Sequence, residues 1–262
     1  MLQDQLAVAR RALADGDPEA LHSLRVTLRR LSSLLKPLAA LPAISPVYAS
    51  ARALAQQTNP LRDEEVLCLE LAGIAPELAR ARWQAMPAAY ARLREDPALE
   101  QCTQALAEFL AAATLPDKVT LKNTLGKALG RWQSQLQQAL EEQAMLEAGD
   151  RTDIDLPEPE AADLNKHRLR LLIKRLRYTL ALWQKASPAS RRLLNALRAC
   201  QDSLGDWHDR VVWLECSRQD AELMPFAAQW ESEMHAHAAW ADYQLTQLQK
   251  PLRRWRKQGR KK

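Results

Sequence analysis

One ten-residue pattern, written twice, constrains this chain more than any other feature. His22-Ser-Leu-Arg25-Val-Thr-Leu-Arg29-Arg30-Leu31 aligns without gaps to His167-Arg-Leu-Arg170-Leu-Leu-Ile-Lys174-Arg175-Leu176, 145 residues later. On a helix advancing about 100° per residue, His22, Arg25 and Arg29 span an arc of roughly 60°, with Arg30 about 80° from His22. Leu21, Leu24, Leu28, Leu31 and Leu35 fall on the other side. The second copy sets His167, Arg170, Lys174 and Tyr178 on one stripe, flanked by Arg175 and Arg177, over a back of Leu169, Ile173, Leu176 and Leu180. Each helix therefore buries leucines and presents cations. A second landmark also recurs, because Asn59-Pro-Leu-Arg62-Asp63-Glu-Glu-Val66 matches Gly205-Asp-Trp-His208-Asp209-Arg-Val-Val212, and Arg52 matches Arg198, 146 residues apart. Two landmarks in the same order at nearly the same separation imply an internal duplication.

The rest of the chain reads as helix. Asp17-Pro18, Ser45-Pro46, Asp96-Pro97 and Ser187-Pro188 each place a capping oxygen before a proline suited to the first helical turn. Leucines recur at helical spacing between them and no alternating segment stands out, which predicts an all-α chain of about ten helices. Only 7 glycines and 2 phenylalanines agree with that class. The acidic, proline-containing segment 149–163 is the expected linker. It divides a first half, 1–148, from a second half, 164–252, followed by a basic tail, 253–262. The tail carries seven basic residues and no acid, so subtracting it from the net +5 leaves a mildly acidic body. An anion site in the body must then come from local clustering rather than from overall charge.

Clustering is what the two cation stripes supply. From His22 to Lys36, and from Lys166 to Lys185, there is no Asp or Glu. Like charges at i, i+4 repel by a few tenths of a kcal/mol per pair, a cost that a multivalent anion lying across them removes. Guanidinium donates two parallel hydrogen bonds to phosphate, lysine adds a point charge and imidazole a further donor, so a repeating phosphate chain would satisfy the row. The rival reading is a solvated face whose charges meet carboxylates of other helices. The second landmark reads as an inter-helix turn with Asn59 and Gly205 in left-handed conformation. There Arg62 and His208 can face the anion, Asp63 and Asp209 orient neighbouring basic groups, and Arg52 and Arg198 are more distant members of the site.

The two copies, HSLRVTLRRL from His22 and HRLRLLIKRLRY from His167, each followed some 40 residues later by NPLRDEEV or LGDWHDRV, resemble the CHAD family, the conserved histidine α-helical domain. The resemblance covers all but the basic tail. It implies two pseudo-symmetric helical bundles facing a central basic groove or pore, and binding of inorganic polyphosphate without catalysis. By the same resemblance the site comprises His22, Arg25, Arg29 and Arg30 in the first copy and His167, Arg170, Lys174, Arg175, Arg177 and Tyr178 in the second. The chain departs from the family pattern at Ser32, Asn59, Glu65 and His208, which predicts a thinner first site.

Other classes find less support. A phosphohydrolase or phosphotransferase acting on polyphosphate-like substrates would use His22 or His167 beside arginine. Yet Gly126-Lys-Ala-Leu-Gly130 lacks P-loop spacing, and no carboxylate cluster is placed to hold magnesium, so neither an enzyme nor a cofactor is expected. His235 and His237 lie about 200° apart on a helix and chelate a metal poorly. Nucleic acid is the second-choice partner, through a tail expected to be a disordered arm with Trp255 among its cations. The 8 tryptophans, Trp132, Trp183 and Trp207 among them, read as packing residues. Cys68, Cys102, Cys200 and Cys216 form no CxxC pair, and no stretch approaches the roughly 18 apolar residues of a membrane span. A cytoplasmic protein without membrane insertion is expected, with polyphosphate granules as a destination the resemblance allows.

Overall fold

A computed structural model describes residues 19–111, 117–147, 158–183 and 188–259. Among them there is no strand. The helices are α1 (Ala20–Leu35), α2 (Ser45–Gln57), α3 (Asn59–Ile74), α4 (Pro76–Glu95), α5 (Pro97–Ala111), α6 (Lys118–Glu147), α7 (Glu158–Trp183), α8 (Pro188–Gln219) and α9 (Ala227–Gly259). None of them is long and apolar enough to cross a membrane. Cys68, Cys102, Cys200 and Cys216 are all free thiols.

The chain divides into two compact units, Met1–Leu125 and Gly126–Lys262. In the first, α1 packs on α2, α2 on α5, and α3 on α4. The leucine back of α1 is its seam, for Leu21, Leu24, Leu28, Leu31 and Leu35 are all buried. In the second, α8 packs chiefly on α9 and also on α7. Leu169, Ile173, Leu176 and Leu180 of α7 are fully buried, as the leucine spacing predicts. Burying one such side chain contributes about 1.5–3 kcal/mol, so these seams outweigh any surface ion pair in fixing how α1 and α7 rotate.

The boundary differs from the one read at 149–163, since it falls inside α6. Residues 148–157 lie outside the described residues, and 158–163 form the first turns of α7. The reason is packing: the part of α6 beyond Gly126 bonds to α7 and α9. Asn165 Nδ2 donates to the Ala139 carbonyl at 2.9 Å and to Gln143 Oε1 at 3.0 Å. Gln143 Nε2 in turn reaches Asp242 of α9 at 3.3 Å.

Of the four capping signals, Ser45-Pro46 opens α2 and Asp96-Pro97 opens α5. Asp96 Oδ1 accepts the Ala98 N–H at 2.8 Å, while Ser45 is the first helical residue and does not cap α2 with its side chain. Asp17, Pro18 and Ser187 lie outside the described residues. Most of the basic tail is helical too. α9 runs unbroken through Arg253–Lys257 to Gly259, and Arg256 donates to Gln137 of α6 at 3.0 Å, so the expectation of a disordered arm is corrected as far as 259.

The turn expected at the second landmark is absent from both halves in the form predicted. Asn59 is the first residue of α3, after a right-handed Thr58 at φ −80° and ψ −8°. Gly205 sits inside α8, with right-handed helix on both sides. The physical difference is Pro60. Its missing N–H and fixed φ start a new helix in the first half, whereas no proline follows Gly205 and the helix continues. A Cβ built on Gly205 meets nothing within 4 Å. Gly205→Ala is therefore expected to stabilise the protein by about 0.5–1 kcal/mol, through helix propensity alone. Denaturant unfolding measures it, and a destabilised variant would mean that this position is not helical.

Candidate functional site

In the second unit the buried seam of α7 turns His167, Arg170, Lys174 and Tyr178 to the opposite side. His167 is exposed there, and the other three are half-buried. α8 brings His208 to this stripe, its ring centroid 5.4 Å from that of His167 and the two planes 54° apart. The buried Trp207 backs it, ring centroids 6.2 Å apart. The His208 imidazole is pushed down to about 4, by burial first and then by Arg170, His167 and Lys174. His167 is lowered as well, again by burial first and then by Arg170 and Lys174. Two neutral imidazoles in a field of fixed cations can donate hydrogen bonds to an anion, and both gain protons more readily once an anion neutralises that field.

The remaining members of the second copy divide. Arg177 Nε donates to Gln201 of α8 at 2.8 Å, and its guanidinium lies 4.2 Å from the Tyr178 ring centroid. It braces the stripe, holding the phenol by a cation–π contact. Arg175 is half-buried at the stripe's edge. Arg198 is exposed on α8, ten residues before His208, and among the described residues no hydrogen bond or ion pair joins it to the cluster.

The acid-free stretch does not leave every cation of α7 uncompensated. Lys166 Nζ lies 3.2 Å from Asp242 of α9, and Arg168 lies 2.5 Å from Glu142 of α6. Carboxylates from other helices thus meet the two positions beside His167. Lys166 and Asp242 form a largely buried pair, and burial raises the Asp242 carboxyl to about 6 against the pull of Lys166. Farther along α8, Arg210 donates to Glu233 of α9 at 3.1 Å and covers the Trp213 ring at 4.6 Å.

In the first unit α1 presents His22 and Arg30 to solvent, with Arg25 and Arg29 half-buried. Arg25 crosses to the start of α3, donating to Thr58 Oγ1 at 2.8 Å and to Asn59 Oδ1 at 2.9 Å. Its Nε is buried without an acceptor. That orphaned donor costs about 1–3 kcal/mol, a penalty usually tolerated where a side chain has work other than stability. Burial, and then Arg29, hold the Arg25 guanidinium below its ordinary value, with Asp63 opposing. Arg62 donates to Glu65 Oε2 at 2.8 Å, and the Tyr90 hydroxyl of α4 donates to Glu65 Oε1. The clear hydrogen-bonded acid of this landmark is Glu65, only 2% exposed, while Asp63 acts on Arg25 through its field. Arg52 is exposed on α2, and among the described residues no hydrogen bond or ion pair ties it to this cluster.

Sequence reasoning missed Thr58, Tyr90 and Gln201, and it gave Glu65 no structural role. The Arg62–Glu65 pair carried a local signal, the i, i+3 spacing. Tyr90 and Gln201 carried none, because each meets its partner across about 25 residues of chain.

Residues 1–218 match the family model of the CHAD domain. A search of curated proteins finds no match. Among solved structures the chain is similar to the CHAD domain from the plant Ricinus communis, at 23% identity and a TM-score of 0.64, over 96% of this chain and 88% of that one. That structural likeness speaks for the fold, and the family match spans most of the sequence: this chain belongs to the CHAD domain family.

Proposed function

We propose that this protein binds inorganic polyphosphate, without catalysis, through the cation clusters on α1 and α7. The observation that carries the reading is the meeting of His208 with the α7 stripe, where burial first, and then the charges of Arg170 and Lys174, disfavour the protonated form of both imidazoles. A site able to depress histidine in this way has a local positive potential, although the body of the chain is mildly acidic. A repeating phosphate answers it with charge at every unit, and the fork of Arg170, the ammonium of Lys174 and the imidazole donors supply directional bonds. On α1, Arg25 and Arg29 supply the same chemistry, with Arg25 positioned by Thr58 and Asn59. A cytoplasmic location, and recruitment to polyphosphate granules, follow from this reading.

Neutral imidazoles beside arginine also favour one alternative, phosphoryl transfer with His167 or His208 as nucleophile. The two readings separate in one assay. Purified protein incubated with polyphosphate is expected to release no phosphate, and steady turnover abolished by His167→Ala or His208→Ala would replace binding with catalysis.

Affinity measured against phosphate chains of graded length tests the site itself. Arg170→Ala and Arg25→Ala are each expected to weaken binding by about tenfold or more, as loss of a charge-assisted hydrogen bond of about 1.5–3 kcal/mol implies. Equal affinity in both variants and wild type would remove the stripes from the site.

Binding should also depend on pH. The His208 pKa of about 4 rises when an anion neutralises Arg170 and Lys174, so binding takes up protons and tightens as pH falls from 7.5 toward 5.5. Calorimetry in buffers of different ionisation enthalpy is expected to detect this uptake, and His208→Gln to reduce it. Proton release on binding would contradict the assignment.

A further inference from the structure

The tryptophans are packing residues at Trp132, Trp207, Trp213 and Trp230, all buried, but Trp240 is not. On α9 it is 53% exposed and stacks on Tyr243, which is equally exposed, with ring centroids 5.2 Å apart and planes inclined by only 21°. Two large aromatic faces thus stand in water, while Ala241, Leu245, Leu248 and Leu252 bury the other side of the same stretch of α9. The same face continues toward the C-terminus as Gln247, Lys250, Arg254 and Lys257, all exposed. From Trp240 to Lys257 these six residues occupy an arc of about 100° and run about 25 Å along the helix.

No carboxylate interrupts the stripe. After Glu233 the only acidic side chain in the sequence is Asp242, which lies about 110° around α9 from the middle of the stripe and pairs there with Lys166 at 3.2 Å. Pro251, inside the helix, has no N–H for the carbonyl of Gln247, which leaves a main-chain acceptor without its helical donor partway along the stripe. The arrangement therefore offers π-faces first, an acceptor next, and cations last. α9 begins beyond the last residue of the family match, and none of the residues of this stripe belongs to the cation clusters of α1 and α7.

We infer that this face of α9 binds single-stranded nucleic acid, a base continuing the Trp240–Tyr243 stack and the adjoining phosphates meeting Lys250, Arg254 and Lys257. Bare polyphosphate has no use for the aromatic pair. An anionic membrane requires an apolar face along several turns, and here it lasts one turn before the stripe becomes polar. A second copy of this chain would have to set carboxylates against three cations. An unpaired strand supplies both the exposed base faces and the phosphates, whereas duplex DNA keeps its bases stacked internally. Trp255, half-buried and already engaged, is not the stacking residue.

The test uses the full chain and three labelled probes: a mixed-sequence single-stranded oligonucleotide, an abasic strand of the same length, and its duplex. Wild type is expected to bind the single strand more tightly than either of the others. Trp240→Ala with Tyr243→Ala should weaken single-strand binding at least about fivefold and leave abasic binding unchanged. Lys250→Gln with Arg254→Gln should weaken both and flatten the salt dependence. All four positions are exposed, so thermal unfolding should be unaltered, which separates lost binding from lost fold. Polyphosphate affinity in the aromatic double variant, and oligonucleotide affinity in Arg170→Ala, should each match wild type, so the two sites fail or stand independently. Equal affinity for intact and abasic strands, no effect of removing the aromatic pair, or retention on anionic lipid vesicles without oligonucleotide binding would each overturn the assignment.

Discussion

Two leucine seams fix everything this protein presents to solvent at its candidate sites. A helix has one rotational degree of freedom about its axis, and burial of Leu169, Ile173, Leu176 and Leu180 removes it from α7. His167, Arg170, Lys174 and Tyr178 are on the other side because the seam leaves them nowhere else to be. The same holds for α1, where five buried leucines turn Arg25 toward the start of α3. The apolar side chains supply the free energy, and the cations receive their positions from it.

Electrostatics then acts over longer range than the local sequence. Lys166 and Arg168 stand in a stretch of α7 without acids, yet Asp242 and Glu142 reach them from helices far away in the chain. In the first unit a buried carboxylate, Glu65, gathers Arg62 and Tyr90, so one of the cations acting on Arg25 is held by an acid that cannot itself meet an incoming anion. Acids here serve to anchor particular cations at the margins of each cluster. The same principle governs α9, whose lone acid after Glu233 is occupied by Lys166 and leaves the stripe from Trp240 to Lys257 without a carboxylate.

How far the sequence could be read depended on whether the governing interaction was local. Helical class, the buried face of α1 and α7, and two of the proline-marked helix starts all follow from spacing within ten residues or so. Where the cause lay farther off, reading stopped short. Gly205 looked like a turn by analogy with Asn59, but a proline decides that feature, and only the first copy has one. The boundary between units moved from an acidic, proline-containing segment into α6 because Asn165 and Gln143 tie that helix to its later neighbours, contacts no window of sequence displays. Tyr90 and Gln201 escaped for the same reason. The basic tail was misjudged on composition, since charge density alone says nothing of whether a preceding helix carries on through it.

The unbroken course of α8 has a mechanical meaning. Arg198 and His208 ride on one continuous rod and stand about 15 Å apart along its axis, a span set by helical rise that no hinge can adjust. Their counterparts Arg52 and Arg62 sit on two shorter segments that meet at Thr58, with Arg25 gripping the joint. One half of the molecule thus carries a ruler and the other a braced corner. A ligand touching both ends of the ruler must match its length, while one touching Arg52 and Arg62 must match the angle that Arg25 holds between α2 and α3.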